Sequence, residues 1–292
     1  MKRSVNEYIF DSANVVFMLL LTLVFIYPLL YCLFASLSDP AQLNLHQGPL
    51  YKPLGFSIEA YKQVLSNKLF MRGLFNTIFY VVVGTSLNLL LTALAAFVLS
   101  RKQFYWKKFI MIYIVITMYF SGGLIPFYLV VKNLHLINSP LSILLPGAVS
   151  VFNLIIMRTY FLGIPDSLEE SAVIDGANDF TVLFRIILPL SMPVVAVMIV
   201  YYGVGRWNEW FNAMIFLSDN TWQPLQLLLR NILNQNDATK FLKNITDTGD
   251  AQSRARLIKY ALIMITVFPI IFVYPFVQKY FIKGVMIGSL KG

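Results

Sequence analysis

The chain has 292 residues, 58% of them hydrophobic and 13% charged, with a formal net charge of +9 at pH 7. Soluble domains carry roughly 25% charged residues, so this composition excludes a water-soluble globular domain and specifies a multi-span membrane protein. The basic residues are scattered or lie beside apolar runs, which excludes nucleic acid as the partner and points to anionic lipid headgroups.

A helix needs about 20 apolar residues to cross the hydrocarbon core. Apolar runs of that order, charge-free but for Arg206 and Glu209 in the fifth and Lys259 and Lys279 at the ends of the sixth, predict membrane helices near 13–37, 74–100, 109–131, 137–157, 190–217 and 258–280. The predicted architecture is a single all-α transmembrane domain, 1–292, with six membrane helices and both termini on one side. Isolated strands are excluded because lipid leaves their backbone groups unpaired.

The first run follows Lys2, Arg3, Glu7 and Asp11, exceeds a signal-peptide core and has no small-residue cleavage site after it. It is expected to be a retained span. Cys32, the only cysteine, lies in this run and forms no intrachain disulfide. The outer loop 38–68 contains Pro40, Gly48, Pro49, Pro53 and Gly55, so it should be irregular, with a short surface helix over 57–68. In the second span Gly84, Asn88, Thr92 and Ala96 recur every four residues. Small, weakly polar side chains let another helix approach closely, so a packing face is favoured over a pore lining. A basic inner loop with Arg101, Lys102, Lys107 and Lys108 follows. In the third span, Ser121-Gly122-Gly123 before Pro126 predicts a kink or break.

Between the fourth and fifth spans, residues 164–193 read IPDSLEESAVIDGANDFTVLFRIILPLSMP. Asp166, Glu169, Glu170, Asp175, Asp179 and Arg185 keep this stretch out of hydrocarbon. Pro165 suits a first helical turn, and Ser167 with Glu170 has capping-box spacing. Gly176 suits the left-handed stop of a first helix, and Asn178 or Asp179 caps a second that ends near Pro189. Phe180, Leu183, Phe184 and Ile187 give the second helix an apolar face that needs a protein to cover it. An interfacial connector lying on lipid is disfavoured, because the first helix is acidic.

Glu170-Ser171-Ala172, Gly176 after three more residues, then Ile186, Leu188 and Pro189 after nine resemble the EAA loop of ABC-importer permease subunits. The departure is Ser171, where that family has Ala. The resemblance implies a type I importer permease fold whose coupling loop, 164–189, faces the cytoplasm and docks into a cleft of a separate ATPase subunit. It assigns Glu170, Ser171, Ala172, Asp175 and Gly176 to docking, and Ile186, Leu188 and Pro189 to the join with the fifth span. It further implies a second homologous permease subunit, two ATPase subunits, an extracytoplasmic solute-binding protein and a bacterial cytoplasmic (inner) membrane with both termini cytoplasmic. ATP and Mg would sit on the ATPase subunits, and this chain would hold no cofactor. Cationic residues divide evenly between the two sides, so the positive-inside rule does not orient the chain; the resemblance does.

The fifth span carries Arg206-Trp207-Asn208-Glu209-Trp210. From a start near Pro193, Arg206 lies about 20 Å along the helix, a depth where an unpaired charge costs roughly 2.5–3.5 kcal/mol. One reading is a translocation pathway in which Trp207 and Trp210 present flat faces to a sugar ring and Asn208 meets its hydroxyls. The other is a structural Arg206–Glu209 pair, three residues apart on one helix face, with the tryptophans at the membrane interface. Ser121-Gly122-Gly123 and Pro126 of the third span, together with Lys132, Asn133 and Asn138, resemble the carbohydrate-importing branch of the same family. That implies an oligosaccharide cargo, and Arg206 leaves acidic oligomers such as those from alginate or pectin open. The polar outer loop 219–256 corresponds to the loop that meets the solute-binding protein in that family. The tail from Lys283-Gly284 to Lys291-Gly292 resembles its glycine-rich end, or else binds lipid headgroups.

The sequence has no G-x-x-x-x-G-K-[ST] loop, H-E-x-x-H motif or Cys/His cluster, and His46 and His135 are isolated. Energy must therefore come from a partner. An intramembrane enzyme would need several converging ionisable groups, and only Arg206 and Glu209 qualify. A secondary transporter would typically show internal repeats, and none is evident.

Overall fold

The computed structural model describes residues 5–235 and 248–289. Lys2-Arg3, the middle of the second outer loop (236–247) and Lys291-Gly292 lie outside them. Among the described residues the chain is helical, with one isolated β-bridge between Ser38 and Phe56. It divides into two compact units, Met1–Phe70 with Leu229–Phe268, and Met71–Leu228 with Pro269–Gly292.

In the first unit, α1 (Val5–Ser36) is one long apolar helix, and its membrane-length stretch is wholly unburied. A helix apolar all round belongs in lipid or against another membrane helix. The loop after it is less irregular than its prolines predict. Asp39 caps α2 (Pro40–Leu45) by accepting from the Ala41 and Gln42 amides, and α3 (Glu59–Ser66) is the predicted surface helix. Ser38 Oγ accepts from the Leu54 amide at 3.0 Å and donates to the Phe34 carbonyl at 2.7 Å. The Tyr27 hydroxyl accepts from the Leu50 amide at 3.1 Å. Buried backbone groups of the loop are thereby satisfied.

In the second unit, α4 (Lys68–Phe79) passes through a π-turn (Tyr80–Gly84) into α5 (Thr85–Ser100) without a break. The predicted third span is two helices, α6 (Lys107–Tyr119) and α7 (Leu124–Asn133), at 116° to each other. The predicted kink is thus a corner, with Gly123 at φ +84°. The predicted fourth span is also broken, into α8 (Leu141–Leu144) and α9 (Val151–Leu162). Pro146 cannot continue the helical hydrogen-bond ladder, and Gly147 turns the chain at φ +67°. There follow α10 (Asp166–Ile174), α11 (Asp179–Val182), a π-turn (Leu183–Ile187), α12 (Leu188–Leu190) and α13 (Met192–Trp207). The fifth span stops at Trp207 and restarts as α14 (Phe211–Phe216). Then α15 (Leu225–Gln235) occupies part of the outer loop, and α16 (Thr248–Ser289) ends the described chain; each of these two helices has residues in both units.

Among the described residues three continuous helices are long and apolar enough to cross a membrane, and two bent pairs raise that to five. The fourth of the six expected spans has no full-length counterpart: α9 has 12 residues, about 18 Å against a hydrocarbon core of about 30 Å.

The core of the second unit is built from α5, α9 and α13, with Ala96, Leu154, Met157, Val194, Met198 and Tyr202 buried together. The predicted packing stripe is buried along its length, and a matching stripe of Val194, Met198, Tyr202 and Arg206 is buried on α13. The two run antiparallel, because Asn88 meets Arg206 while Thr92 meets Tyr202.

Candidate coupling loop and membrane-depth arginine

The loop folds as two short helices, but it starts differently from the capping-box expectation. Pro165 takes the position before the helix, so Ser167 falls inside the first turn and no side chain caps α10. The Ser167 carbonyl accepts from Ser171 Oγ at 2.8 Å instead. Asp166 and Glu169 lie in this first turn, where negative charge is favoured by the exposed amides. The stop at Gly176 is as expected: its φ is +84°, and the Ala177 and Gly176 amides bond back to the Ala172 and Val173 carbonyls at 2.9 and 3.0 Å. That is a Schellman closure. Asn178 Oδ1 then caps α11 by accepting from the Thr181 amide at 2.8 Å.

The second helix ends at Leu190, one residue past Pro189 and so near it as expected, with Pro189 inside its last turn. In an α-helix the proline ring would strike the Arg185 carbonyl, and it has no N–H to donate. The π-turn opens the ladder just before it, with the Leu188 amide reaching the Leu183 carbonyl. After Ser191 the chain bends by 87° into α13.

The single apolar face expected for this helix is two faces. Val182, Leu183 and Ile187 are each 1% exposed, inside the α5–α9–α13 core. Phe180 and Phe184 are 66% and 45% exposed, and Ile174 at the end of α10 is 85% exposed. Glu170, Ser171, Asp175, Gly176 and Pro189 are exposed, while Ala172, Ile186 and Leu188 are half-buried.

The basic inner loop after α5 is bound to α10. Arg101 pairs with Glu169, and Lys102 with Asp166 at 2.5 Å. The Lys102 hydrogen bond holds Asp166 below the usual carboxylate range and raises Lys102 itself. Burial lowers the Arg101 guanidinium despite Asp166 and Asp179 nearby. Sequence reasoning missed these partnerships. The signal was adjacent cations at one helix end and first-turn acids on another, and only the fold joins them.

Arg206 is 6% exposed, and it does not pair with Glu209. Its guanidinium donates to the Ile143 carbonyl, to the Leu144 carbonyl at 3.0 Å and to Asn88 Oδ1 at 3.0 Å. Because α13 ends at Trp207, Glu209 has left the helix face on which a pair would form. Glu209 accepts instead from the Asn212 amide at 3.2 Å and its side-chain amide at 3.3 Å. The break after α8 leaves its last carbonyls without helical partners, and in hydrocarbon such groups must be satisfied by protein. Arg206 does this. Gly84 makes room for it, since a Cβ there would lie 2.9 Å from Arg206 Nε.

One turn away the Tyr202 hydroxyl bonds Thr92 Oγ1 at 2.6 Å and accepts from the Ser150 amide at 3.1 Å. Asn88, Thr92, Ser150 and Tyr202 therefore join a polar cluster of which the sequence marked only parts. Of the residues proposed for the pathway, Asn208 and Trp210 are exposed, Trp207 and Glu209 half-buried and Arg206 buried. Asn208 Oδ1 accepts from Gln226 Nε2 at 3.4 Å, and Trp210 stands edge-on to Phe211. Asn138 fixes the start of the outer loop by accepting from the Ser218 amide at 2.7 Å, and Asn76 donates to the Thr221 and Gln223 carbonyls.

A helical membrane chain with an EAA-type loop folded on its core is a permease of the ABC-importer class. Residues 88–287 match the family described as binding-protein-dependent transport system inner membrane component, and the chain belongs to that family. It is a transport subunit, not an enzyme. The polygalacturonan/rhamnogalacturonan transport system permease protein YtcP of Bacillus subtilis (strain 168) is 37% identical over 284 residues, covering 97% of this chain and 99% of its own. Protein LplC of the same organism is 38% identical over 288 residues, covering 97% and 95%. A crystal structure of a bacterial ABC transporter involved in the import of the acidic polysaccharide alginate contains a similar chain. The TM-score is 0.87 at 33% identity, over 96% of this chain and 99% of that one.

Proposed function

We propose that this chain is the membrane-spanning subunit of an ATP-driven importer that moves acidic oligosaccharides, of the uronic-acid class, delivered by an extracytoplasmic solute-binding protein. The observation that carries the reading is the two-faced coupling loop. Leu183 and Ile187 anchor it in the membrane core, while Ile174, Phe180 and Phe184 lie bare beside Glu170 and Gly176. A bare apolar surface of this kind, rimmed by acids, fits a protein cleft better than anionic lipid. The occupant is an ATPase subunit that supplies ATP and Mg, one of two, and a second permease completes the pathway. The loop then faces the cytoplasm, both termini do so too, and the particle sits in the cytoplasmic (inner) membrane.

Acidic cargo is supported by the relatives, named for polygalacturonan/rhamnogalacturonan and alginate transport. Arg206 gives no such support, because protein acceptors take up its guanidinium. The test is uptake and ATP hydrolysis by the complex reconstituted with its binding protein, offered oligogalacturonates, alginate oligomers and neutral oligosaccharides. Stimulation by the acidic set is expected. Stimulation by neutral sugars alone would overturn the substrate class, and a purified complex without an ATPase would overturn the importer itself.

A further inference from the structure

On the importer reading above, we propose that Arg101 and Glu169 are positioning residues that make α10 and α5 move as one piece, so that a push on the coupling loop reaches the membrane core instead of being lost in rocking of the loop. None of the residues of α10 is buried, whereas α11 and the π-turn after it put Val182, Leu183 and Ile187 into the core. The first helix of the loop, which presents Glu170, touches that core through half-buried Ala172, with Ile164 and Ala177 at its two ends, a narrow apolar footing to fix its angle. Among the described residues its ionic attachments to the rest of the second unit are Arg101–Glu169 and Lys102–Asp166.

The two attachments are unequal. Lys102 and Asp166 are 78% and 49% exposed, and such surface pairs contribute little. Arg101 and Glu169 are 16% and 24% exposed, so water screens them less. The receiving end is also stiff. The Arg101 guanidinium lies over the Phe97 ring at 4.7 Å and donates to Ser100 Oγ. Lys107 Nζ holds the Arg101 carbonyl at 3.1 Å, and Arg158 Nε holds the Leu99 carbonyl at 2.9 Å. From there α5 runs to Thr92 and Asn88, which hold Tyr202 and Arg206 of α13. Glu169 faces inward while its neighbour Glu170 is exposed, as the 100° step of a helix requires. One acid is left for the partner and the other ties down the helix.

The experiment uses the whole complex in proteoliposomes, with uptake and ATP hydrolysis counted together. Glu169→Gln keeps the side-chain shape and removes the charge. It should leave the ATPase subunits bound in their usual ratio while uptake per ATP falls several-fold. Arg101→Glu and Glu169→Arg should each be worse, and the two combined should recover much of the loss, because the pair is rebuilt in reverse. The proposal is overturned if Glu169→Gln leaves uptake per ATP unchanged, if the exchange recovers nothing, or if Glu169→Gln releases the ATPase, which would make Glu169 a docking contact. Absence of an ATPase from the wild-type complex would instead sink the importer reading before any variant is compared.

Discussion

Thr92 and Tyr202 share a hydroxyl–hydroxyl hydrogen bond of 2.6 Å, fully inside the second unit. Tyr202 also receives the Ser150 amide at the start of α9, so one phenol joins α5, α9 and α13. Tyr202→Phe keeps the ring and removes both bonds, stranding a buried hydroxyl and a partly buried amide. We expect a loss of about 1–3 kcal/mol, read as a lower unfolding temperature of the detergent-purified complex. An unchanged melting point would mean that water or a shift in packing replaces the phenol.

Arg206 and Gly84 form a second pair that can be tested. Gly84→Ala would bring a methyl group within 2.9 Å of Arg206 Nε and 3.2 Å of Leu144. The guanidinium cannot step aside without releasing its carbonyls, so a cost of about 1–3 kcal/mol is expected. Arg206→Met should be at least as damaging, since it leaves the end of α8 unsatisfied. If Arg206→Met assembled and melted like wild type but lost uptake, Arg206 would belong to the pathway after all.

Gly176 separates backbone strain from crowding. A Cβ there meets nothing within 4 Å, yet φ is +84°. Gly176→Asn should therefore be tolerated, while Gly176→Val should cost at least about 1–2 kcal/mol and loosen the end of α10. On the importer reading the measurement is co-purification of the proposed ATPase subunit, with Val weakening it and Asn leaving it near wild type.

The Lys102–Asp166 pair predicts an acid-sensitive contribution. The folded value of Asp166 is depressed, so its stabilisation is present above the ordinary aspartate value of 3.8 and drains away as pH falls through the lower folded value. Lys102 is raised, so its share persists through neutral pH and is lost only in strong alkali. The melting-temperature gap between wild type and Asp166→Asn should be small and constant at neutral pH, narrow in acid and shrink with added salt. A gap that widened on acidification would contradict the assignment.

Much of the loop was legible because its signals are local. Gly176 and Asn178 stop and start helices through their own backbone and side chain. The Gly84–Ala96 stripe was equally plain, since close packing needs small residues at helical spacing. The break in the fourth span was hidden, because hydropathy records composition and Pro146-Gly147 sits in an apolar run. The partners of Arg206 include backbone carbonyls, which leave no mark in a sequence. Glu169 and Arg101 are 68 positions apart, and nothing short of the fold brings them together.

The widened turn at Leu183–Ile187 and the proline after it presuppose each other. Deleting one residue there would tighten the coil to ordinary pitch and drive the pyrrolidine ring back onto a carbonyl. It would also swing everything upstream, including Phe180 and Phe184, by about 100° relative to α13. The length of this short segment therefore sets which way the loop's bare side looks, and on the importer reading a chain one residue shorter would offer the ATPase the wrong side.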